Sequence, residues 1–67
     1  MQEYDPMAEE SFFMRNEEIL ENILRHLEQD SVEHWVNDDG SIGFYARDAE
    51  DVDAIANEEI GIWVTLQ

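Results

Sequence analysis

The sequence predicts a small single α+β domain, in which a three-stranded, mostly antiparallel sheet packs against a long N-terminal helix and a short second helix. Three observations carry this prediction. Apolar residues recur at helical spacing over residues 9–29, two apolar runs flank the turn sequence Asn-Asp-Asp-Gly at 37–40, and every second residue of 60–66 is aliphatic. The predicted order of elements is therefore α-β-β-α-β.

The length of the chain limits it to one domain. Sixty-seven residues without cysteine lie near the lower size limit for folding without disulfides or metals. We expect residues 1–8, which contain Pro6 and no periodic pattern, to form a flexible acidic arm, and residues 9–67 to form the domain. An apolar fraction of 43% is too high for a disordered acidic tail.

The first helix is predicted over residues 9–29. Its apolar side chains fall within one broad arc at 100° per residue: Phe12, Phe13, Ile19, Leu20, Ile23, Leu24 and Leu27. Asn16 interrupts this arc and is followed by Glu17 and Glu18, which is also the pattern of an N-cap with an acidic first turn. We interpret the segment as one helix; a short turn followed by a helix from residue 17 is the alternative.

The remaining elements follow from turn and capping residues. Residues 32–36 and 41–47 are predicted to form a hairpin around the turn at 37–40. Asp48 is a good N-cap residue, and Asp51 stands where the acid of a capping box would be, so a short helix is predicted over 49–57. The alternation over 60–66 predicts the third strand.

Strand alternation places three large aromatic residues, Trp35, Tyr45 and Trp63, on one face of this sheet. If both helices pack on the opposite, aliphatic face, these rings form an exposed apolar patch of the kind that marks an interaction site. Two alternatives remain. The helices can cover one face each, which would bury the rings as ordinary core, or a homodimer can form through this face.

The strongest compositional signal is the charge. Eighteen Asp and Glu oppose three Arg and no Lys, which gives a net charge of −15. Such a chain is repelled by nucleic acid and by anionic membrane surfaces, and it has no apolar run long enough to span a bilayer. The predicted partner is therefore a basic protein, one whose surface is itself built to bind nucleic acid.

The acids also follow a pattern on the predicted first helix. Glu10, Glu17, Glu21 and Glu28 project within about 40° of one another and form a stripe about 27 Å long. We expect the stripe to bind the partner, widened by neighbouring acids and anchored by the aromatic face. The further predicted partner-binding residues are Glu18, Glu50, Asp51, Asp53, Trp35, Tyr45 and Trp63. A solvated helix face without function is the alternative.

No pattern indicates a metal site, a cofactor or catalysis. The acids at 37–40 do not fit a calcium loop, because its first ligand position would be Trp35 and its last lacks Glu. His26 and His34 lack the spacing of paired zinc ligands on one helix. A Ser-His-Asp arrangement and a glycine-rich phosphate loop are missing, so we expect a non-enzymatic protein.

In size, acidity, lack of Lys and mixed helix–sheet character, the chain resembles the nucleic-acid-mimic inhibitors encoded by phages and mobile elements. The resemblance is one of composition, with no shared motif. It implies an inhibitor that occupies the nucleic-acid-binding surface of a restriction, CRISPR or repair enzyme in the host cytoplasm. The alternatives are a small halophile-adapted regulatory or housekeeping domain, and an acidic adaptor or antitoxin-like subunit.

Because like charges repel one another in the folded chain, we predict that its melting temperature rises when salt is added. Thermal unfolding followed by circular dichroism, from dilute buffer to about 0.5 M NaCl, measures this effect. A halophile domain would be largely unfolded in dilute buffer. A cooperative transition there, well above room temperature, would contradict the halophile alternative.

Overall fold

A computed structural model describes residues 3–66; residues 1 and 2 of the predicted arm and residue 67 of the predicted domain lie outside the described part. The elements, in chain order, are β1 (Glu9–Phe12), α1 (Glu17–Gln29), β2 (His34–Val36), β3 (Ile42–Tyr45) and α2 (Ala49–Thr65), with one 3₁₀ turn (Ala46–Asp48) leading into α2. The predicted α+β class, the three-stranded antiparallel sheet and the two helices are confirmed.

The third strand lies at the other end of the chain from its predicted position. Residues 60–66 continue α2, because Ile60 and Trp63 follow Val52 and Ala56 at helical spacing and pack against the same core. Ile62, Val64 and Leu66, which complete the apparent alternation, are exposed. The same residues satisfy both periodicities, and packing against the core favours the helical one.

The helix α1 begins at Glu17, so the interpretation of 9–29 as one helix is wrong; the helix start at residue 17 in the alternative is confirmed, but its short turn is not. The side chain of Asn16 is the reason. Its Oδ1 accepts hydrogen bonds from the backbone N–H groups of Glu18 (2.9 Å) and Ile19 (3.1 Å). These groups lie in the first turn, where N–H groups have no acceptor within the helix. Residues Glu9–Phe12 instead form the strand β1.

In the sheet order β1-β3-β2, the strand β3 is central and antiparallel to both neighbours. Ser11 and Trp35 lie opposite Gly43, and Phe12 and Val36 lie opposite Ile42. These pairs fix which side chains share a face of the sheet, because directly opposed residues point to the same side.

The core lies on one side of the sheet. Ile42 and Phe44 of β3 are buried there with side chains of both helices: Ile19, Ile23 and Leu27 of α1, and Val52 and Ile55 of α2. Within residues 3–66, the two helices therefore share one face of the sheet. The alternative with one helix on each face does not hold.

The predicted turn between β2 and β3 is confirmed. Asn37 N–H donates to the carbonyl of Ser41 (2.8 Å), and Gly40 N–H donates to the carbonyl of Asn37 (2.9 Å). Gly40 has a φ of 87°, a backbone conformation that glycine adopts without a steric penalty. The capping box predicted for Asp48 does not form, since its side chain accepts a hydrogen bond from Arg47 Nε (3.3 Å) instead of capping α2.

Part of the predicted N-terminal arm contacts the domain. The backbone N–H groups of Ala46 and Arg47 donate to the carbonyls of Ala8 and Pro6, both at 2.9 Å. These two bonds continue the pairing of β1 with β3 beyond the ends of the strands. Flexibility of the arm stays a prediction.

We predict that Asn16→Ala lowers the free energy of unfolding by about 1 kcal/mol, because two N–H groups of the first turn lose their acceptor. Urea denaturation measures this loss. The slope of the free energy of unfolding against urea concentration should be the same for the variant and the parent. Asn16→Ser is the matched control, since serine caps helices about as well as asparagine. Equal stability of the alanine variant and the parent would show that the cap contributes nothing.

Candidate partner-binding surface

The acidic stripe of the first helix is present but shorter than predicted. Glu17, Glu21 and Glu28 lie on α1 and are exposed, on the side opposite the buried Ile19 and Ile23. They span about 16 Å along the helix axis. Glu10 does not belong to this stripe, because it lies on β1 rather than on a helix.

Glu18 and Trp63 join the two helices. The indole Nε1 of Trp63 donates to Oε2 of Glu18 at 3.1 Å, and the ring is half-buried against the core. The prediction that Trp63 shares a sheet face with Trp35 and Tyr45 is therefore wrong, because residue 63 belongs to α2. Glu18 is exposed and remains accessible, although one of its oxygens is engaged in this contact.

The predicted acids of the second helix separate into two sides of it. Glu50 and Asp51 stand in the first turn of α2, where the partial positive charge of a helix N-terminus favours carboxylates. Asp51 also lines an open cleft between the helices, whereas Asp53 lines a different hollow beside Phe12 and Ile60. Asp51 and Asp53 therefore lie on different parts of the surface.

The cleft between the helices is lined by three carboxylates. It has a volume of about 450 Å³, with apolar walls from Val32, Ala54 and Ile55 and polar groups from His26, Asp30, Asp51 and Glu58. The imidazole of His26 is 21% exposed; its Nε2 lies 3.4 Å from Asp30 Oδ2 and 4.0 Å from Glu58 Oε2. Its Nδ1 lies 3.2 Å from Glu59 Oε1, which connects α1 to α2.

These groups do not form a metal centre. Within residues 3–66, no set of three or more His, Asp and Glu side chains is arranged to hold a metal ion. The second histidine, His34, does not line the cleft; its Nδ1 donates to the carbonyl of Val32 at 2.8 Å.

The acidic surface is almost entirely unneutralised. Sixteen of the eighteen carboxylates are exposed, and in the described chain only Glu33 and Asp48 lie within 4.0 Å of an arginine nitrogen. Both pair with Arg47. Arg25, on the solvent side of α1, donates to Asn22 Oδ1 at 3.2 Å. The molecule therefore presents a predominantly negative surface, with three exposed arginines.

The sheet face turned away from the helices brings two of the predicted aromatic residues together. The rings of Trp35 and Tyr45 meet edge to face, with centroids 5.0 Å apart. Neither ring belongs to the core cluster. The indole lies over Gly43 on the neighbouring strand, where a Cβ atom would overlap it, and Nε1 of Trp35 donates to Asn37 Oδ1 at 3.0 Å.

Arg47, which is absent from the predicted site, completes this face. Its guanidinium carbon lies 5.3 Å from the centroid of the Tyr45 ring, and its Nη2 lies 3.8 Å from Glu33 Oε1. Strand alternation already places Arg47 on the side of Tyr45. The stacking distance depends on the turn that follows β3, and sequence patterns do not predict it.

Polar contacts in the hairpin turn hold Asn37, and through it Trp35, in position. Asn37 Nδ2 donates to Ser41 Oγ (2.9 Å), and that hydroxyl donates to Asp39 Oδ1 (2.6 Å). The backbone N–H of Ser41 donates to the same carboxylate oxygen (2.9 Å). The hydroxyl and then the N–H of Ser41 stabilise the ionised form, so the pKa of Asp39 lies below its ordinary value.

Comparison with known proteins adds no assignment: no protein-family model, curated protein or solved structure matches this chain. Neither helix in residues 3–66 combines the length and the apolar character needed to cross a membrane. The interpretation of the surface therefore depends on its own chemistry.

We predict that Ser41→Ala raises the pKa of Asp39 toward the ordinary value of 3.8, because the largest cause of the lowering is the Ser41 hydroxyl. The lowered pKa means that ionised Asp39 stabilises the fold above the ordinary pKa and loses this effect as pH falls through the lowered value. A pH titration of the side-chain carboxyl carbon by NMR measures the change. Ser11→Ala, at an exposed serine of β1, should leave it unaltered.

Proposed function

We propose that this protein is a non-enzymatic, acidic interaction protein that inhibits a partner by covering its basic, nucleic-acid-binding surface. It would act as a nucleic-acid mimic encoded by a phage or mobile element, in the host cytoplasm, against a restriction, CRISPR or related enzyme. The observation that supports the proposal is the exposed acidic surface, in which, over residues 3–66, only two carboxylates are paired with arginine.

A surface of this kind favours one class of partner. Fifteen net negative charges steer a basic protein toward the chain and repel nucleic acid, membranes and other copies of it. A groove that binds nucleic acid concentrates positive charge in one place, since it neutralises phosphates with Lys and Arg. It is therefore the most complementary surface for this molecule.

The positions of individual acids separate structural from functional roles. Glu50 and Asp51 stabilise α2, because they stand at its N-terminus. Glu28 stands in the last turn of α1 and Asp30 caps that end, where the partial negative charge of the helix disfavours carboxylates. Asp30 lies beside His26 Nε2 (3.4 Å), so Glu28 is the one of the two whose unfavourable position supports a role outside the chain.

The α1 stripe alone is sparser than a duplex, which carries about one charge per 1.7 Å of its axis. Glu17, Glu21 and Glu28 are separated by four and seven residues, or about 6 and 10 Å. The acids of the interhelical cleft lie on the side of α1 that faces α2, so they form a second acidic area and not a continuation of the stripe. The mimicry in this proposal is therefore that of a strongly negative surface and not of the charge spacing of a duplex.

The test begins with the host protein that the chain captures from lysate, purified and measured by surface plasmon resonance. We predict that the association rate falls at least about tenfold between 0.05 and 0.5 M salt, as expected for electrostatic steering. The triple variant Glu17→Lys, Glu21→Lys, Glu28→Lys should lower the association rate at low salt by a similar factor. Circular dichroism should show an intact fold, because the three positions are exposed.

The matched control is Glu3→Lys, Asp5→Lys, Asp38→Lys, which changes the net charge equally at exposed positions away from α1. Equal weakening by both triple variants would show that net charge alone matters and that α1 is not the binding surface. Nucleic acid should compete with the chain for the captured protein. Simultaneous binding of both would contradict the proposed function.

A further inference from the structure

The outer sheet face carries an aromatic surface that is held in one arrangement before any partner binds. The indole of Trp35 is fixed by its hydrogen bond to Asn37, by the edge-to-face contact with Tyr45 and by the absence of a side chain at Gly43. Fixed aromatic rings lose little conformational entropy on binding, which makes them effective anchors in protein interfaces.

The chain's own Arg47 shows which chemical group this face accepts. Its guanidinium lies over the Tyr45 ring at 5.3 Å and has the carboxylates of Glu33 (3.8 Å) and Asp48 (3.3 Å) beside it. An aromatic face with carboxylates at its margin is a favourable environment for a guanidinium, through cation–π attraction and ion pairing together.

We infer that the Trp35 ring is the docking position for an arginine side chain of the basic partner, next to the position that Arg47 already occupies on Tyr45. This inference rests on the proposed function for the charge of the partner. Tryptophan is the strongest aromatic acceptor of a cation, and both helices pack on the opposite side of the sheet. Glu9, which lies opposite Tyr45 on β1, and Glu33 supply negative charge at the margin of this face.

Charge complementarity favours this occupant over others. A second copy of the chain would bring another −15 charges to the same face. A nucleobase stacked on Trp35 would bring phosphates toward Glu9 and Glu33, whereas stacking platforms for single strands lie in basic grooves. An arginine of a basic protein satisfies both the ring and the carboxylates.

The probe is the blocked peptide acetyl-Arg-Arg-Arg-amide, titrated into ¹⁵N-labelled protein and followed by NMR. We expect a saturable shift of the Trp35 indole N–H and of the Gly43 amide. The indole N–H of Trp63 reports separately on binding to the acids of α1, because it is bound to Glu18. The citrulline peptide, which has the same shape without charge, should give no shift, and the lysine peptide should bind more weakly.

Two variants separate the ring from the charge. Trp35→Leu removes the ring, and Gly43→Ala keeps every charge and ring but displaces the indole. Both should weaken binding of the arginine peptide roughly fivefold, the usual scale of one cation–π contact. The amides of α1 report whether each variant is folded. If both variants unfold, Trp35 is part of the core and the inference is wrong.

Three further results would overturn this inference. Shifts confined to the α1 amides around Glu17 and Glu21, with Trp35 unmoved, would overturn this inference and leave the proposed function standing. An absence of any shift would overturn it as well. A Trp35 shift that appears when the protein concentration is raised without peptide would identify the face as a contact between copies of the chain. That result would contradict arginine docking. Failure of the proposed function is measured separately, by the α1 variants and the captured protein.

Discussion

Both helices pack on the same face of the sheet, and this packing determines which side chains lie on the opposite face. Ile42 and Phe44 of the central strand are buried against Ile23 and Leu27 of α1 and against α2. A chain of 67 residues supports one such cluster, because a small domain buries a small fraction of its surface. The second face of the sheet is left outside this cluster.

That second face is ordered without being core. Trp35 and Tyr45 contact each other, Arg47 stacks on Tyr45, and the turn network through Asn37 holds the indole. This arrangement explains the glycine at position 43, since any side chain there would occupy the space of the indole. Both rings are partly exposed on this face, which carries neither helix.

The dipoles of the two helices determine which of the carboxylates stabilise the fold. Acids at the N-terminus of α2 stabilise that helix, and Glu17 and Glu18 do the same in the first turn of α1. Glu28 and Asp30 lie at the unfavourable end of α1, beside His26. Helix stability therefore explains the four acids in the first turns of α1 and α2 and leaves most of the exposed carboxylates unexplained.

The sequence by itself determined the α+β class, the net charge, the hairpin turn with Gly40 and the amphipathic pattern of α1, because each depends on neighbours within one or two turns of chain. Trp35 and Tyr45 were placed together by strand alternation alone. The strand β1, the full length of α2 and the position of Trp63 were decided by tertiary structure. Residues 9–12 become a strand only because the distant β3 supplies their hydrogen-bond partners, and residues 60–65 remain helical because Ile60 and Trp63 reach the core. Short segments that satisfy two periodicities are settled by such long-range contacts.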